Sequence, residues 1–233
     1  MTTDASAIAL QGLQFAWPGA PPILDIESFA VPRGAKIFLS GPSGSGKSTL
    51  LGVIGGVLRP QRGSVRVLGA DLGRLSAAAR DRFRGEHLGF IFQLFNLIPY
   101  LSVLDNVMLP GRFVRARARR AGPEPHTAAA RLLASLGLGD PQLQRRPVTQ
   151  LSIGQQQRVA AARALFGSPE LVIADEPTSA LDHDARADFL RLLTQECARS
   201  GATLLFVSHD TSLASMFDRS LALTDINRGR WHC

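Results

Sequence analysis

A glycine-rich segment with one lysine is the clearest chemical feature of the chain. Residues 41–49 read Gly-Pro-Ser-Gly-Ser-Gly-Lys-Ser-Thr, which fits the Gly-x-x-x-x-Gly-Lys-Ser/Thr pattern of phosphate-binding loops. The glycines let the backbone curl with its N–H groups pointing inward. Lys47 can then reach the β- and γ-phosphates, and the Ser48 hydroxyl can bind Mg²⁺. The segment predicts a nucleotide site formed by Gly41, Pro42, Ser43, Gly44, Ser45, Gly46, Lys47, Ser48 and Thr49.

The residues on either side predict the elements that hold this loop. Residues 35–40 read as a short buried strand, and residues 49–54 read as the start of a helix. This order places the phosphates at a helix N-terminus, where free N–H groups and the helix dipole favour anions. The alternative is a glycine- and serine-rich turn that happens to contain a lysine, and it does not explain the strand before and the helix after.

A second candidate site is a pair of carboxylates at the end of an apolar run. Residues 171–174 read as a buried strand and are followed directly by Asp175, Glu176 and Pro177. Asp175 is suited to the coordination shell of Mg²⁺, and Glu176 is suited to orient an attacking water or accept its proton. An acidic turn after a strand is the common alternative. Beside a phosphate loop, the chemical interpretation is favoured.

Two polar residues follow other predicted strands. Gln93 comes directly after the run 88–92, and its amide could bind Mg²⁺ and hydrogen-bond the water. His209 lies just past the run 203–207 and could donate a hydrogen bond to the γ-phosphate. Alone, either residue would be typical of an ordinary surface or structural position. Because open α/β sheets bind ligands at the carboxyl ends of their strands, we expect both residues at the phosphate site.

The remaining pattern predicts a core of strands and helices with an insertion. Further strands are predicted at residues 8–15 and 64–68, and a weak one at 220–224. Residues 96–165 alternate helical patterns with proline and glycine and contain no convincing strand. Helices are predicted at residues 127–136 and 185–199. This order indicates a helical insertion of about seventy residues within the core.

Composition is typical of a globular protein. The chain has 233 residues, of which 45% are hydrophobic, enough for a substantial core. The most apolar stretch, 88–110, is too interrupted to span a bilayer. Asp4 and the lack of a basic run argue against a signal peptide, and Cys197 and Cys233 are expected to be reduced thiols. The net charge of +7 is concentrated in an arginine run at 112–120, either a surface for an anionic partner or a solvated helix face.

The segment between these candidate sites resembles a known family. Residues 151–158 read Leu-Ser-Ile-Gly-Gln-Gln-Gln-Arg and resemble the signature motif, usually Leu-Ser-Gly-Gly-Gln, of the ATP-binding cassette (ABC) ATPases. Residues 179–182, Ser-Ala-Leu-Asp, resemble the D-loop of that family. Trp17 falls where the family has an aromatic residue that stacks on adenine. Seven motifs occur in the family's order between about residues 8 and 224, a joint match that chance does not explain.

This resemblance implies a fold and a set of ligands. The implied fold is α/β: a P-loop NTPase core with a mixed sheet and flanking helices, an N-terminal antiparallel β part and an inserted α-helical subdomain. The implied division is one ABC ATPase domain over 1–233, with the core at about 1–93 and 168–233 and the helical subdomain at about 94–167. The implied ligands are ATP and Mg²⁺. The metal would be held by Ser48, Gln93 and Asp175, and the catalytic residues would be Lys47, Gln93, Glu176 and His209.

The resemblance also implies a dimer in which each subunit completes the other's site. The signature residues Ser152, Ile153, Gly154 and Gln155 would cover the γ-phosphate bound by the partner, beside the D-loop residue Asp182. Ile153 departs from the usual glycine, and a β-branched residue restricts the backbone. We expect activity because Glu176 and His209 are intact. A weakly hydrolysing site is the alternative.

The region 88–110 further resembles the bacterial macrolide-export and lipoprotein-releasing ATPases. This implies a separate transmembrane permease, a second ATPase subunit that is most simply an identical one, and a peripheral position on the cytoplasmic face of the inner membrane. A cell-division type of ABC ATPase, which drives a membrane protein that transports nothing, is a second interpretation. A nucleic-acid or ribosome-associated ABC ATPase is a third, but such proteins usually carry two cassettes or a long coiled coil, so no nucleic acid is expected.

Overall fold

The computed structural model of the protein describes residues 6–229, so Asp4 and Cys233 lie outside the described residues. The chain divides into two compact units. Of the described residues, unit 1 comprises 6–84 and 203–229, and unit 2 comprises 85–202. The division into core and helical subdomain at about residues 94 and 167 stays a prediction.

Within residues 6–229 the strands are β1 (Ser6–Ala16), β2 (Pro22–Pro32), β3 (Lys36–Ser40), β4 (Arg62–Val67), β5 (Ala70–Asp71), β6 (Leu88–Ile91), β7 (Leu171–Asp175), β8 (Thr203–Val207) and β9 (Arg219–Ala222). The α-helices are α1 (Lys47–Ile54), α2 (Ala77–His87), α3 (Val103–Phe113), α4 (Arg115–Ala121), α5 (Pro125–Ser135), α6 (Pro141–Arg145), α7 (Ile153–Leu165), α8 (His183–Ser200) and α9 (Leu223–Ile226). Short 3₁₀ helices cover Leu72–Arg74, Val148–Gln150 and Thr211–Met216.

Unit 1 contains an antiparallel sheet in the order β2-β1-β4-β5. The pairing of Leu10 with Phe29 in β2 and with Val65 in β4 places apolar side chains on one buried face. From Ile8 onward, the buried positions of β1 change from even to odd numbers at Gly12, whose φ is 56°. A side chain at Gly63 could not fit, because its Cβ would lie 2.4 Å from the carbonyl oxygen of Gly12. The two glycines therefore shape the bend of this sheet.

Unit 1 also contains a parallel set of strands that leads into the phosphate loop. β3 pairs in parallel with both β8 and β9, with Phe38 opposite Phe206 and Ser220. The interiors of β3 and β8 are fully buried and apolar, as is typical of parallel strands covered on both faces. The weak strand predicted at 220–224 is β9, which ends at Ala222, and α9 follows it directly.

Unit 2 contains the parallel pair β6–β7 and the helices α3–α8. The predicted helices are α5 and α8, and residues 96–165 contain no strand. α7 buries a stripe of small residues, including Ala160, Ala161 and Ala164. Gly89 of β6 faces this helix, since a Cβ there would lie 2.4 Å from the Ala164 carbonyl oxygen. No helix of residues 6–229 combines the length and the apolar character needed to cross a bilayer.

Candidate nucleotide site

The phosphate loop connects β3 to α1 and requires glycine at two positions. Gly44 and Gly46 have φ values of 77° and 96°, in the left-handed region that residues with a Cβ rarely adopt. A Cβ at Gly46 would also lie 3.0 Å from the Leu24 side chain. Gly46 is the N-cap of α1, and no side chain caps this helix end. The first N–H groups of α1 therefore remain suited to binding an anion.

Lys47 and Ser45 add two features that fit phosphate. The Lys47 ammonium donates hydrogen bonds to the carbonyl oxygens of Gly41 and Pro42, at 2.7 and 3.0 Å, so it lies over the loop. The Ser45 hydroxyl is buried and has no hydrogen-bond partner among the described residues. A buried hydroxyl without a partner is costly and uncommon. A cation, an unpaired hydroxyl and an uncapped helix N-terminus together fit the phosphate chain of a nucleotide.

Asn227 supports this loop and was not predicted from the sequence. Its side-chain amide donates to the carbonyl oxygens of Ile23 and Ser45, at 2.9 and 3.4 Å. Its side-chain oxygen accepts from the backbone N–H groups of Asp25 and Gly229. These four bonds satisfy a buried amide and join the loop to β2 and to the C-terminal segment. A single asparagine near the end of a chain carries no pattern that would have revealed this role.

Unit 1 also positions His209 and Trp17. β3 and β8 are parallel, so the phosphate loop and His209, which follows β8, lie at the same edge of these strands. His209 is exposed, and the next residue, Asp210, accepts from Ser212 N–H to begin a 3₁₀ helix. Trp17 follows β1, is 47% exposed and packs edge-on against Phe15 at 5.1 Å between ring centroids. An exposed indole can stack on a planar base.

Unit 2 brings together Gln93, Asp175 and Glu176 at one edge of β6–β7. Asp175 ends β7, Glu176 follows it, and Gln93 lies two residues after β6, which is parallel to β7. Glu176 has a φ of 46°. A non-glycine residue held in the left-handed region stores strain, and such strain clusters at functional sites. The carboxylate and amide oxygens of these residues, with the Ser48 hydroxyl, are the ligand types that Mg²⁺ prefers.

The signature residues form the N-terminus of α7. Ser152 is the N-cap and forms a capping box with Gln155, in which each side chain accepts a hydrogen bond from the other's backbone N–H, at 3.3 and 3.0 Å. The backbone of Ile153 is not left-handed, so glycine is not required there, and its side chain is 54% exposed. The β-branched residue therefore fits the helix start without strain in the backbone.

Gly154 is not explained by the packing of unit 2. Its φ is not in the left-handed region, and a Cβ there would meet only the Leu181 side chain, at 3.7 Å, an ordinary contact. The lack of a side chain at this half-buried position therefore lets a ligand approach the backbone of Gly154 closely. Near it, Asp182 caps α8 by accepting a hydrogen bond from Ala185 N–H at 2.8 Å.

Each unit thus carries residues of the types that bind or hydrolyse a nucleotide, and the family comparison fits these residue types. A family model described as ABC transporter matches residues 24–179. The chain belongs to the ABC transporter family. As a member, it is an ATP hydrolase of the ABC type, which confirms the predicted family and enzyme class.

Two curated relatives represent the types of ABC protein that this chain resembles. It is 45% identical over 210 residues to the lipoprotein-releasing system ATP-binding protein LolD of Anaeromyxobacter dehalogenans, a match that covers 90% of this chain and 86% of that protein. It is also 45% identical over 195 residues to the macrolide export ATP-binding/permease protein MacB 1 of Aeromonas hydrophila. That match covers 84% of this chain but only 29% of the MacB protein, so the chain spans less than a third of that relative.

Solved structures confirm the predicted fold class. The ATP-binding cassette MJ0796, in a dimeric post-hydrolysis state bound to ADP and Pi, is 32% identical with a TM-score of 0.81. That alignment covers 96% of this ABC chain and 98% of MJ0796. CbiO1 from Clostridium perfringens has a TM-score of 0.83 over 98% of this chain and 88% of that chain, and at 23% identity it supports the fold alone. The chain has the ABC cassette fold, with an antiparallel sheet, parallel strands and helices.

Proposed function

We propose that this ABC ATPase works as a homodimer that powers a separate membrane permease from the cytoplasmic face of the inner membrane. The phosphate loop carries the nucleotide-binding part of the proposal, because Gly44 and Gly46 adopt backbone angles suited to glycine and leave the N-terminus of α1 uncapped. The membrane part is supported by the likeness to LolD and MacB, whose names describe a lipoprotein-releasing system and macrolide export.

The phosphate-loop residues and the polar residues that follow the strands have proposed roles in ATP hydrolysis. The loop N–H groups and Lys47 bind the phosphates, and Trp17 stacks on the base. Ser48, Gln93 and Asp175 would hold Mg²⁺, which neutralises phosphate charge when bound. Glu176 orients the attacking water and accepts its proton, while His209 donates a hydrogen bond to the γ-phosphate. Lys47 stabilises the charge that spreads over the transferred phosphoryl group.

Gly154 supports the proposal that a second subunit completes the site. Gly154, where a Cβ would make only one ordinary contact, and the exposed N-cap Ser152 present the positive end of α7 to a ligand outside the unit. The phosphate chain of an ATP bound to a partner subunit has the charge that this helix end favours. ATP that contacts both subunits binds the closed dimer better than the open one, so it shifts the equilibrium toward closure. Loss of the γ-phosphate then reopens the dimer.

An apolar groove in unit 2 supports a protein partner. A cavity of about 520 Å³ lies between the residues that follow Gln93 and the start of α7, and no charged side chain is among the described residues that line it. Its wall includes Leu94, which is 80% exposed, and Ile153. Exposed apolar surface of this kind marks interaction sites. We propose that an apolar segment of the permease binds in this groove, where it would contact both Gln93 and Ile153 of the signature.

The test is to identify what the ATP-bound protein binds in the membrane. A tagged Glu176→Gln variant would be purified with ATP from detergent-solubilised membranes, and the bound proteins would be identified by mass spectrometry. We expect a permease with a large extracytoplasmic domain. The matched control adds Lys47→Ala, which weakens ATP binding and should reduce recovery of the permease. Recovery of only RNA or ribosomes would contradict the membrane assignment, and a membrane partner without transport activity would favour the cell-division type of function.

A further inference from the structure

One arginine of the run at residues 112–120 is buried, although the other four are exposed. Arg117 is only 2% exposed. Arg112 forms an ion pair with Asp105, and Arg120 donates hydrogen bonds to the carbonyl oxygens of Glu86 and Gly167. Arg112, Arg115, Arg119 and Arg120 are exposed, and among the described residues the side chains of Arg115 and Arg119 form no hydrogen bond or ion pair. Some arginines of the run therefore bind the backbone of other segments of unit 2 and do not only add surface charge.

Arg117 lies at the centre of that role. Its guanidinium donates four hydrogen bonds, all to backbone carbonyl oxygens. These are the bonds to Gly85 at 3.1 Å, Ala164 at 3.2 Å, Phe166 at 2.7 Å and Leu88 at 2.6 Å. Most of its N–H groups are thereby used. Only the planar guanidinium offers donors in such fixed directions, so a lysine could not reproduce this set of bonds.

The side chain is a buried cation held by backbone carbonyls. Burial, with a smaller effect of the Arg120 charge, lowers the pKa of Arg117 to about 10. A buried charge is costly unless polar partners replace its water. Here carbonyl dipoles replace the water, and two of them, at Ala164 and Phe166, belong to the C-terminus of α7, the negative end of that helix. The favourable bonds therefore depend on holding these carbonyls in one arrangement.

The carbonyls belong to two segments that approach each other closely. Leu88 is the first residue of β6, and Ala164 and Phe166 lie at the end of α7. A Cβ at Gly89 would lie 2.4 Å from the Ala164 carbonyl oxygen, and a Cβ at Gly167 would lie 2.6 Å from the Arg117 carbonyl oxygen. Arg120 joins the same two segments through Glu86 and Gly167. Arginine side chains and glycines thus lock the end of α7 against the start of β6.

The other ends of these two elements carry predicted site residues. α7 begins after Ser152 and has 13 residues, so it is about 20 Å long. β6 is followed by Gln93. A second arginine, Arg163 of α7, donates to the carbonyl oxygens of Asn96 and Phe95, at 2.5 and 2.6 Å, in the segment after Gln93. α7 is therefore joined by arginine hydrogen bonds both to the start of β6 and to the segment that follows β6.

We propose that Arg117 is a positioning residue for the signature. By joining the C-terminus of α7 to the start of β6, it fixes Ser152 and Gly154 relative to Gln93. This inference rests on the proposed function, in which the signature covers ATP bound by a second subunit. Arg117 makes none of the phosphate-loop contacts. Its loss should therefore spare binding of nucleotide to the loop and impair the step that needs the signature, which is ATP-dependent closure of the dimer.

The test replaces Arg117 with lysine, which keeps the charge and loses the planar donor set. Arg119→Lys is the matched control, because Arg119 lies on the same helix and is exposed, and its side chain forms no hydrogen bond or ion pair among the described residues. Both would be made in the wild-type and Glu176→Gln proteins. For Arg117→Lys we expect ADP affinity within about twofold of wild type. We also expect the ATP concentration that gives half-maximal dimer in the Glu176→Gln background to rise by roughly tenfold or more, with a similar fall in the kcat of the otherwise wild-type protein.

The outcomes separate this inference from a stabilising role and from the proposed function. A folded Arg117→Lys protein with a lower Tm but a wild-type dimer midpoint and kcat would overturn the inference. If Arg117→Lys does not fold, the dimer midpoint is measured for Arg120→Lys instead, because Arg120 joins the same two segments. A raised midpoint supports the inference and a wild-type midpoint overturns it. If the Glu176→Gln protein with Arg117 intact forms no dimer in ATP, the result contradicts the proposed ATP-dependent dimer itself and not the role of Arg117.

Discussion

At the scale of single residues, a substitution at Gly154 should change stability and activity in opposite directions. A Cβ at this position would make only an ordinary contact, and its backbone does not require glycine. Near the start of a helix, alanine loses less backbone entropy on folding than glycine, so Gly154→Ala should raise the free energy of unfolding by about 0.4–1 kcal/mol. If the partner's ATP lies against Gly154, the added methyl group should lower kcat by roughly tenfold or more. Denaturant unfolding and steady-state ATPase assays measure the two effects.

Gly139→Ala provides the matched control for this change. Gly139 is exposed, its φ is not left-handed, and a Cβ there would meet only Ala134, at 3.5 Å. It lies in the loop between α5 and α6, so the substitution should leave the ATPase rate unchanged. A Gly154→Ala protein with wild-type kcat would show that the space at Gly154 has no role in closing the site.

At the scale of elements, the N-terminus of α3 contains a pH-dependent cap. The Ser102 hydroxyl donates to the Asp105 carboxylate at 2.6 Å and accepts from Asp105 N–H at 3.1 Å. The hydrogen bond from Ser102, with a further contribution from Arg112, lowers the pKa of Asp105 below 3.8. Because the folded-state pKa lies below the unfolded value, the stabilisation is present above pH 3.8 and is lost as pH falls through the folded-state pKa.

The matching experiment compares wild type with Asp105→Asn. The pair with Arg112 is partly exposed, so we expect the variant to lose no more than about 1 kcal/mol of unfolding free energy at neutral pH. The difference between the two proteins should shrink as the pH falls through the folded-state pKa of Asp105. Urea unfolding at several pH values measures it. A difference that is constant down to full protonation of Asp105 would show that the carboxylate charge contributes nothing.

Strands made of uninterrupted apolar runs were predictable from the sequence, whereas β2, which changes phase, was not. β3, β7 and β8 are buried strands, so each appears in the sequence as a short continuous run of apolar residues. β2 was missed because its buried positions change from Leu24 and Ile26 to Phe29 and Val31, opposite the bend at Gly12 in β1. Alternation is broken at that point, and a search for strict period two fails.

Tertiary contacts hid other features from the sequence. The arginine run suggested a charged surface, whereas Arg117 is buried by carbonyls that come from residues 85–88 and 164–166. No local pattern reveals bonds between such distant segments. The same holds for Asn227, which reaches the phosphate loop across 182 residues of sequence. The residues of the candidate site could be proposed from the sequence because they lie in short motifs with fixed spacing, and their roles stay a prediction.

At the scale of the whole molecule, the proposed cycle makes the assembly state depend on ATP. Glu176→Gln keeps the shape of the side chain and removes the carboxylate that accepts the water proton, so kcat should fall by at least about 100-fold. ATP then persists, and the 25.0 kDa chain should accumulate as a dimer, because ATP that contacts both subunits favours closure. Size-exclusion chromatography with light scattering in ATP and in ADP measures this. The Lys47→Ala form of the same variant should stay monomeric because it binds ATP weakly. Hydrolysis by Glu176→Gln at the wild-type rate would remove Glu176 from its role, and a monomer in saturating ATP would contradict the composite site.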